Sequence, residues 1–299
     1  MVTALGEDLT RELRAAGLDP EYVARVARDA VAEDLAGGVD VTSVATVPAD
    51  QEAVADFVAR ADGVVAGLPV AETVVHVVTG GAYRAEAKAV DGARVRRGDV
   101  LLTVTARTRD LLTAERTALN LLCRLSGIAT LTRRWADAVE GTGARIRDTR
   151  KTTPGLRALE KYAVRCGGGV NHRMSLSDAA MVKDNHVVAA GGVAAAFEAV
   201  RRAFPGIPIE VEVDRVDQIP EALAAGAEEI LLDNMGVDEL REAVRLVAGR
   251  ARLEASGGLT LQNARAVAET GVDYLAVGAL THSAPILDIA CDLRPRGDT

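Results

Sequence analysis

Aromatic residues and lysine are scarce in this chain of 299 residues. Phenylalanine, tryptophan and tyrosine make up 3% of it, too few for the stacked platforms that bind single-stranded nucleic acids. Only four of its 35 basic residues are lysines, at positions 88, 151, 161 and 183. The formal net charge of −8 argues against the global positive field that non-specific nucleic-acid binding requires. We therefore expect no nucleic-acid partner.

Cysteine is rare as well, and the three cysteines lie far apart, at positions 123, 166 and 291. This spacing fits neither a disulfide framework nor a structural zinc site. The signatures GxxxxGK[ST], GxGxxG and GxSxG are missing too. Nucleotide triphosphatase, dinucleotide-binding and α/β-hydrolase motifs therefore find no support in the sequence.

Long hydrophobic runs are also missing. The most apolar stretch, residues 64–78, is interrupted by Pro69, Glu72 and His76, and it is too short and too polar to span a bilayer. The N-terminal segment is amphipathic and carries acids, unlike a signal peptide. We expect a soluble cytoplasmic protein without a membrane partner.

The first part of the chain shows two kinds of periodicity. Residues 1–36 follow a helical period, and Asp19-Pro20 is typical of a helix start within them. Residues 51–107 alternate with a period of two, which predicts strands, and residues 109–140 return to a helical period. The first 118 residues are therefore predicted to form a mixed unit of helices and strands.

Six short apolar runs follow, each leading into a polar cluster and then a helical stretch. They are ARIRDTRK, AAMVKDNH, IPIEVEVD, EEILLDNM, RLEASGG and DYLAVGAL. Strands that alternate with helices in this way predict βα units and a parallel sheet, and six units predict a barrel or near-barrel. The acids inside IPIEVEVD suit the interior of a barrel better than a sheet that is apolar on both faces.

The carboxyl ends of these strands carry polar groups, and in βα barrels such ends converge on one mouth. The ends carry Arg150 and Lys151, Lys183 and Asp184, Glu212 and Asp214, Asp233 and Asn234, Ser256 with two glycines, and Gly278. We predict that they share one pocket. The alternative is that strand ends are polar only because they leave toward solvent.

The segment from Arg145 to Lys183 contains nine basic and three acidic residues, and this excess predicts a localised anion site. His172 follows three glycines there, and we expect it to contact the anion. Glycines directly after the last two strands are suited to phosphate, although glycine also simply ends turns. Glu212 and Asp233 supply the oxygen ligands that Mg²⁺ prefers beside a phosphate.

Several segments together resemble the quinolinate phosphoribosyltransferases. They are EDLAGGVDVTS, ERTALNLLCRLSGIAT, DTRKTTPGLRALEKYAVRCGGGVNHRMSLSDAAMVKDNH, EVEVD, LLDNM, EASGGL and AVGALTHSAPILDI. The long central string is specific, and the matched segments extend over nearly the whole chain.

This resemblance implies an α/β protein with two domains. Residues 1–118 would form an N-terminal α/β sandwich, and residues 119–299 an incomplete βα barrel whose last residues pack back on the first domain. A homodimer with an active site shared across its interface would be the basic unit, with larger assemblies left open. The enzyme would join quinolinate to 5-phosphoribosyl-1-pyrophosphate and release CO2 and pyrophosphate. The product would be nicotinate mononucleotide, in de novo NAD biosynthesis.

The resemblance also implies a role for each matched residue. Quinolinate would be held by Arg150, Lys151, His172, Arg173 and Lys183, with Arg116 reaching in from the partner subunit. The phosphoribosyl donor would be held by Glu212, Asp233, Ser256, Gly257, Gly278 and His282. Glu212 and Asp233 would also bind Mg²⁺, directly or through water. Catalysis is assigned to Lys151, Glu212 and Asp233, with Lys151 as a candidate general acid.

Two other functions remain open at this point. A different barrel enzyme could use Lys183 as a Schiff-base nucleophile, although the dense arginines speak against it. A non-catalytic anion-binding relative is the second alternative. The presence of Arg116, Arg150, Lys151 and Arg173 together favours the enzyme.

Overall fold

The computed structural model describes residues 4–296. These residues form two compact units. The first unit consists of residues 4–131, 153–167 and 283–296, and the second consists of residues 132–152 and 168–282. Neither unit is continuous in sequence. The boundary expected between residues 118 and 119 falls inside one long helix, Thr108–Ala138.

The first unit contains six helices and six strands among the described residues. The helices are α1 (Glu7–Ala15), α2 (Pro20–Leu35), α3 (Val41–Thr46), α4 (Leu68–Thr79), the greater part of α5 (Thr108–Ala138), and α6 (Arg157–Cys166). The strands are β1 (Glu52–Ala59), β2 (Gly63–Val64), β3 (Arg84–Ala87), β4 (Arg94–Val95), β5 (Val100–Arg107) and β12 (Ile289–Pro295). The predicted helix start is confirmed, because the Asp19 side chain accepts a hydrogen bond from the Glu21 N–H at 3.1 Å.

An antiparallel sheet in the order β12-β1-β5-β3 forms the framework of the first unit, and β2 pairs separately with β4. Phe57 of β1 and Leu101 and Leu102 of β5 are almost fully buried in its core. Burying one such side chain stabilises the fold by about 1.5–3 kcal/mol relative to leaving it in water. Both strands also bury adjacent residues, so each strand is partly covered on both faces and the predicted alternation is only partial.

The expectation of strand-like structure across residues 51–107 is wrong for Leu68–Thr79, which form α4. Gly67, with φ of 101°, and Pro69 in the first turn mark the start of this helix. Asp91 accepts hydrogen bonds from the N–H groups of Gly67 and Leu68 at 2.7 and 3.1 Å. Most of α4 is buried, so its apolar residues cover nearly all faces and show no helical period.

The second unit contains the six predicted barrel strands. They are β6 (Arg145–Arg147), β7 (Ala180–Val182), β8 (Ile209–Val213), β9 (Glu229–Asp233), β10 (Arg252–Ser256) and β11 (Tyr274–Ala276). Its helices are α7 (Asp184–Ala190), α8 (Val193–Ala203), α9 (Ile219–Ala225), α10 (Val237–Val247), α11 (Ala264–Ala268) and α12 (Ala279–His282), with a 3₁₀ turn at Val216–Gln218.

These six strands form one parallel sheet in the order β6-β11-β10-β9-β8-β7. Within residues 4–296 the edge strands β6 and β7 do not pair with each other, so the barrel is incomplete, as expected. Val211 and Val213 of β8 are buried, whereas Glu210 and Glu212 alternate with them on the opposite face. Glu210 and Glu212 of IPIEVEVD thus face the barrel interior, whereas Asp214 follows the strand and is exposed.

No helix in the described part of the chain is both long enough and apolar enough to cross a membrane.

Candidate active site

The second unit has a cavity of about 330 Å³ at the carboxyl ends of its parallel strands, here called the mouth cavity. Its wall carries charged groups of both signs. The lining residues are Thr149, Arg150, Lys151, His172, Arg173, Met181, Lys183, Glu212, Leu231, Asp233, Glu254, Ser256 and Ala276. Side chains that are distant in sequence therefore meet at one mouth.

Four of these side chains are cationic. Arg150 and Lys151 follow β6, Arg173 lies in the loop before β7, and Lys183 follows β7. The Arg150 Nε is buried and has no hydrogen-bond partner among the described residues. Burial, reinforced by the positive charge of Arg150, lowers the pKa of Arg173. The two neighbouring guanidinium groups repel each other, and an anion bound between them would relieve that repulsion.

Two carboxylates at the ends of neighbouring strands lie in the same wall, Glu212 on β8 and Asp233 on β9. The Lys183 Nζ donates to the Glu212 Oε2 at 2.6 Å. The Asp233 Oδ2 accepts from the Asn234 Nδ2 at 2.8 Å. Because Nζ is already engaged by a carboxylate, this geometry gives the Schiff-base alternative no support.

Asp148, fully buried, ties β6 to the loop that carries His172 and Arg173. Its Oδ1 accepts the His172 backbone N–H at 2.8 Å, and its Oδ2 accepts the Asn171 Nδ2 at 2.6 Å. Its own N–H donates to the Val170 carbonyl at 3.1 Å. The acid of the DTRK sequence is therefore the anchor that holds two cation-bearing segments together.

The His172 ring is fixed by hydrogen bonds on both nitrogens. Its Nδ1 accepts the Arg173 backbone N–H at 2.8 Å, and its Nε2 lies 2.7 Å from the Glu210 Oε2. A nitrogen that accepts a hydrogen bond carries no proton, so the ring proton is on Nε2 and is donated to Glu210. Both ring nitrogens of His172 are thus engaged by neighbouring groups of the protein.

A second cavity, of about 370 Å³, adjoins the first, since His172 and Arg173 line both. We call it the inner cavity. The Arg147 Nη1 donates to the Glu254 Oε2 at 2.7 Å and forms a second ion pair with Glu229. The guanidinium carbon of Arg147 lies 4.3 Å from the centre of the Tyr274 ring.

His172, Glu210, Glu229 and Glu254 bring potential metal-ligand atoms within 4.8 Å of one another. Arg147 pairs with Glu229 and Glu254, and Arg252 pairs with Glu229, so the group is an ion-pair cluster, here called the inner cluster. Burial raises the pKa of Glu210 to about 7, and the charge of Glu229 adds to this effect. Burial likewise raises the pKa of Glu254 to about 7, with the charge of Glu210 adding to it. Arg147 opposes both shifts.

The glycines after β10 and β11 allow close packing, Gly257 against Asn234 and Gly278 against Lys151. Gly257 has φ of +83°, and a Cβ there would lie 2.2 Å from the Asn234 Oδ1. A Cβ on Gly278 would lie 2.9 Å from the Lys151 Cδ and 3.4 Å from the His282 Nε2. Lys151, Gly278 and His282 are therefore neighbours in the structure.

Two successive segments of the chain match the two domains of one protein family. The N-terminal domain of quinolinate phosphoribosyl transferase matches residues 40–126, and its C-terminal domain matches residues 128–292. This chain belongs to the quinolinate phosphoribosyl transferase family.

Relatives in this family are similar over most of their length. The nicotinate-nucleotide pyrophosphorylase (carboxylating) of Mycobacterium leprae is 56% identical over 270 residues, 89% of this chain and 95% of that protein. A probable enzyme of the same name from Bacillus subtilis is 41% identical over 262 residues, 87% of this chain and 90% of that protein. The crystal structure of NadC from Streptococcus pyogenes matches with a TM-score of 0.90 and 38% identity, covering 94% of this chain and 99% of that one. The predicted family and fold class are confirmed.

The mouth cavity brings together most of the residues predicted as the quinolinate phosphoribosyl transferase site. The lining residues Arg150, Lys151, His172, Arg173, Lys183, Glu212, Asp233 and Ser256 were all predicted. Gly257, Gly278, His282 and Arg116 are not among the described residues that line it. Arg116 is an exposed residue on α5 in the first unit. The individual roles of all these residues stay predictions.

Sequence reasoning missed three residues that the structure places at or beside the cavity. Asp148 was noticed only as one acid in a cationic motif, and Glu210 only as an interior acid. Glu254 was not noticed at all. A signal was available for Glu210, because it alternates with Glu212 and acids at alternate positions of a barrel strand face the interior.

Proposed function

We propose that this protein transfers the phosphoribosyl group of 5-phosphoribosyl-1-pyrophosphate to quinolinate, with decarboxylation. The products are nicotinate mononucleotide, pyrophosphate and CO2, in de novo NAD biosynthesis. The observation that carries the proposal is a single cavity with four cations and three carboxyl groups in its wall. The names of the full-length relatives support the same reaction.

The cationic side of the mouth cavity suits the two carboxylates of quinolinate. Arg150 and Arg173 offer planar guanidinium groups, which hold a carboxylate through paired hydrogen bonds and so fix the ring. Lys183 offers a compact charge for the second carboxylate. His172 positions the backbone of Arg173 through its Nδ1 and acts through that contact.

The carboxylates suit the phosphoribosyl donor together with Mg²⁺. Glu212 and Asp233 fit this ion because they are hard oxygen ligands at adjacent strand ends and leave the rest of its shell to phosphate and water. Bound there, Mg²⁺ would stabilise the negative charge of the departing pyrophosphate. The two carboxylates themselves favour the positive charge that develops on the ribose during glycosyl transfer.

The Lys183–Glu212 ion pair joins the two sides of the site. If Lys183 turns to a quinolinate carboxylate and Glu212 turns to the donor, the 2.6 Å contact between them must lengthen. Quinolinate binding then frees Glu212 for the donor, and donor binding frees Lys183 for quinolinate. Quinolinate and the donor are therefore expected to bind synergistically.

The cations also assist the loss of CO2. After phosphoribosyl transfer the ring nitrogen is cationic, and the adjacent carboxylate leaves its bonding electrons on the neighbouring ring carbon. A site with several positive groups lowers the energy of that electron-rich state.

The active form is a homodimer in which Arg116 of one subunit serves the site of the other. Support comes from the exposure of Arg116 on α5, which leaves its side chain accessible to a second subunit. The cytoplasmic location expected from the sequence is part of the same proposal.

The test is to incubate the pure protein with Mg²⁺, quinolinate and 5-phosphoribosyl-1-pyrophosphate, and to measure CO2 and nicotinate mononucleotide. Nicotinate in place of quinolinate is the matched control, because it lacks the second carboxylate. Product from quinolinate but not from nicotinate is expected. A folded protein that binds quinolinate and forms no product would instead support the non-catalytic anion-binding alternative.

A further inference from the structure

Glu254 is a carboxyl group of the mouth cavity that the proposed function leaves without a role. Three acids line this cavity, Glu212, Asp233 and Glu254. The first two lie at or near the ends of their strands and are assigned to the donor. Glu254 lies two residues before the end of β10, deeper in the barrel, and is only 1% exposed.

Glu254 faces charged or titratable groups on every neighbouring element. They are Arg147 on β6, His172 in the loop before β7, Glu210 on β8, Glu229 on β9 and Tyr274 on β11. The charges in this group are mixed, because Arg147 pairs with Glu254 and Glu229, Arg252 pairs with Glu229, and His172 lies against Glu210. The Glu210 Oε1 has no hydrogen-bond partner within residues 4–296, so its negative charge is poorly compensated. Glu254 is buried beside a second buried carboxyl group, that of Glu210, and both features favour a proton on Glu254.

We propose that protonated Glu254 is the general acid that delivers a proton to the ring carbon from which CO2 departs. This inference rests on the proposed function. The bond between the ring carbon and the carboxylate carbon breaks, and its electron pair stays on the ring carbon. The proton of the Glu254 hydroxyl moves to that carbon, CO2 leaves, and Glu254 becomes a carboxylate.

The surroundings of Glu254 suit both the loss of its proton and the return of one. Its raised pKa, about 7, keeps a large fraction protonated near neutral pH. After the proton has left, the Arg147 Nη1, 2.7 Å away, stabilises the carboxylate. The mouth cavity, which Glu254 lines, provides the return path for a proton.

The decisive variant is Glu254→Gln, which keeps the shape of the side chain and an oxygen for Arg147 but cannot give up a proton. We expect kcat to fall about a hundredfold, as for the loss of a general acid. Binding of phthalate, a dicarboxylate without a ring nitrogen, should stay within about twofold of wild type, because the cations are untouched.

Glu229→Gln is the matched control, since Glu229 also pairs with Arg147 but does not line the mouth cavity. We expect its kcat to stay within about threefold of wild type, because Arg147 keeps its hydrogen bond to Glu254 in this variant. An equal loss of kcat in both variants would overturn the proposal, because it would mean that both glutamates act only by pairing with Arg147.

The pH profile separates a proton donor from a structural group. The wild-type kcat should decline as the pH rises through about 7, because the acid form of Glu254 is lost. This decline should be absent in Glu254→Gln. Its persistence there would assign the proton to another group, such as Lys151, and overturn the proposal.

A measurement on the wild type covers the case in which Glu254→Gln does not fold. Infrared spectroscopy with ¹³C-labelled glutamate should show the carbonyl band of a protonated, buried carboxyl group at pH 7 in the phthalate complex. If no such band appears, the proposal is overturned. A wild-type protein that forms no nicotinate mononucleotide overturns the proposed function and this inference together, whereas an active Glu254→Gln overturns this inference alone.

Discussion

Arg150 and Arg173 differ in how much of their hydrogen bonding is satisfied within the protein. The Arg173 Nη1 donates to the Ala179 carbonyl at 2.8 Å, whereas the buried Arg150 Nε has no partner in the described part of the chain. A buried donor without a partner is costly, and a bound carboxylate removes that cost. A bound carboxylate therefore relieves a larger unsatisfied hydrogen-bonding cost at Arg150 than at Arg173.

Arg150→Ala is expected to weaken quinolinate binding about ten- to a hundredfold, because a charge-assisted hydrogen bond contributes about 1.5–3 kcal/mol. Titration calorimetry with quinolinate measures this directly. Arg241→Ala is a suitable control, since Arg241 lies on α10 with a 54% exposed side chain and pairs with Asp238. Unchanged affinity in Arg150→Ala would remove this residue from the site.

Asp148→Asn tests the anchor of the loop that carries His172. The amide oxygen can still accept one hydrogen bond, but the new NH₂ group faces a donor, the Asn171 Nδ2 or the His172 N–H. We expect a loss of about 1–3 kcal/mol in the free energy of unfolding and a higher KM for quinolinate. Urea denaturation and steady-state kinetics measure the two effects, and equal values for variant and wild type would contradict the role.

At the scale of helices and strands, most of the second unit could be predicted from the sequence, whereas α4 could not. Several barrel strands read as short apolar runs between polar residues because both of their faces are buried, as in β9, where Ile230, Leu231 and Leu232 are all buried. In α4, by contrast, Val70, Val74 and Val75 are all buried, so no polar stripe marks the helix. The local periodicity of the sequence does not reveal the long-range contacts that bury α4.

The end of β11 offers a test of close packing beside Lys151. In Gly278→Ala the new methyl group would lie 2.9 Å from the Lys151 Cδ, so the lysine side chain must move. We expect kcat/KM to fall at least about tenfold, as a misplaced catalytic group commonly causes, while the melting temperature changes little. Gly236→Ala is the control, because its Cβ would meet only the flexible Glu239 side chain at 3.4 Å. Similar activity in both variants would argue against a role for Lys151.

At the scale of the whole molecule, the sequence predicted the residues of the cavity better than the division of the chain. The strand ends could be recognised because parallel strands bring their carboxyl ends together whatever the connections are. The assignment of residues 153–167 and 283–296 to the first unit depends on tertiary packing, which leaves no local mark. Glu254 was missed for a related reason, since its neighbours Arg147 and Glu210 lie far from it in sequence.

The proposed sharing of sites between subunits can be tested by complementation. Arg116→Ala and Lys151→Ala should each be nearly inactive, because each variant lacks one residue in every site. Coexpression should restore about a quarter of wild-type activity, since about half of the dimers are mixed and each of these has one intact site. No gain above the two separate variants would indicate that Arg116 does not serve a neighbouring subunit.

The pairing of β12 with β1 has a consequence for biosynthesis. β1 ends at Ala59, but its partner begins only at Ile289, so the ribosome must translate the whole second unit before this edge is covered. Until then a nascent chain exposes an unpaired β edge, which is a template for aggregation. Premature stop codons shortly before Ile289 should therefore yield polypeptides that retain every residue of the mouth cavity and yet depend on chaperones to remain dispersed.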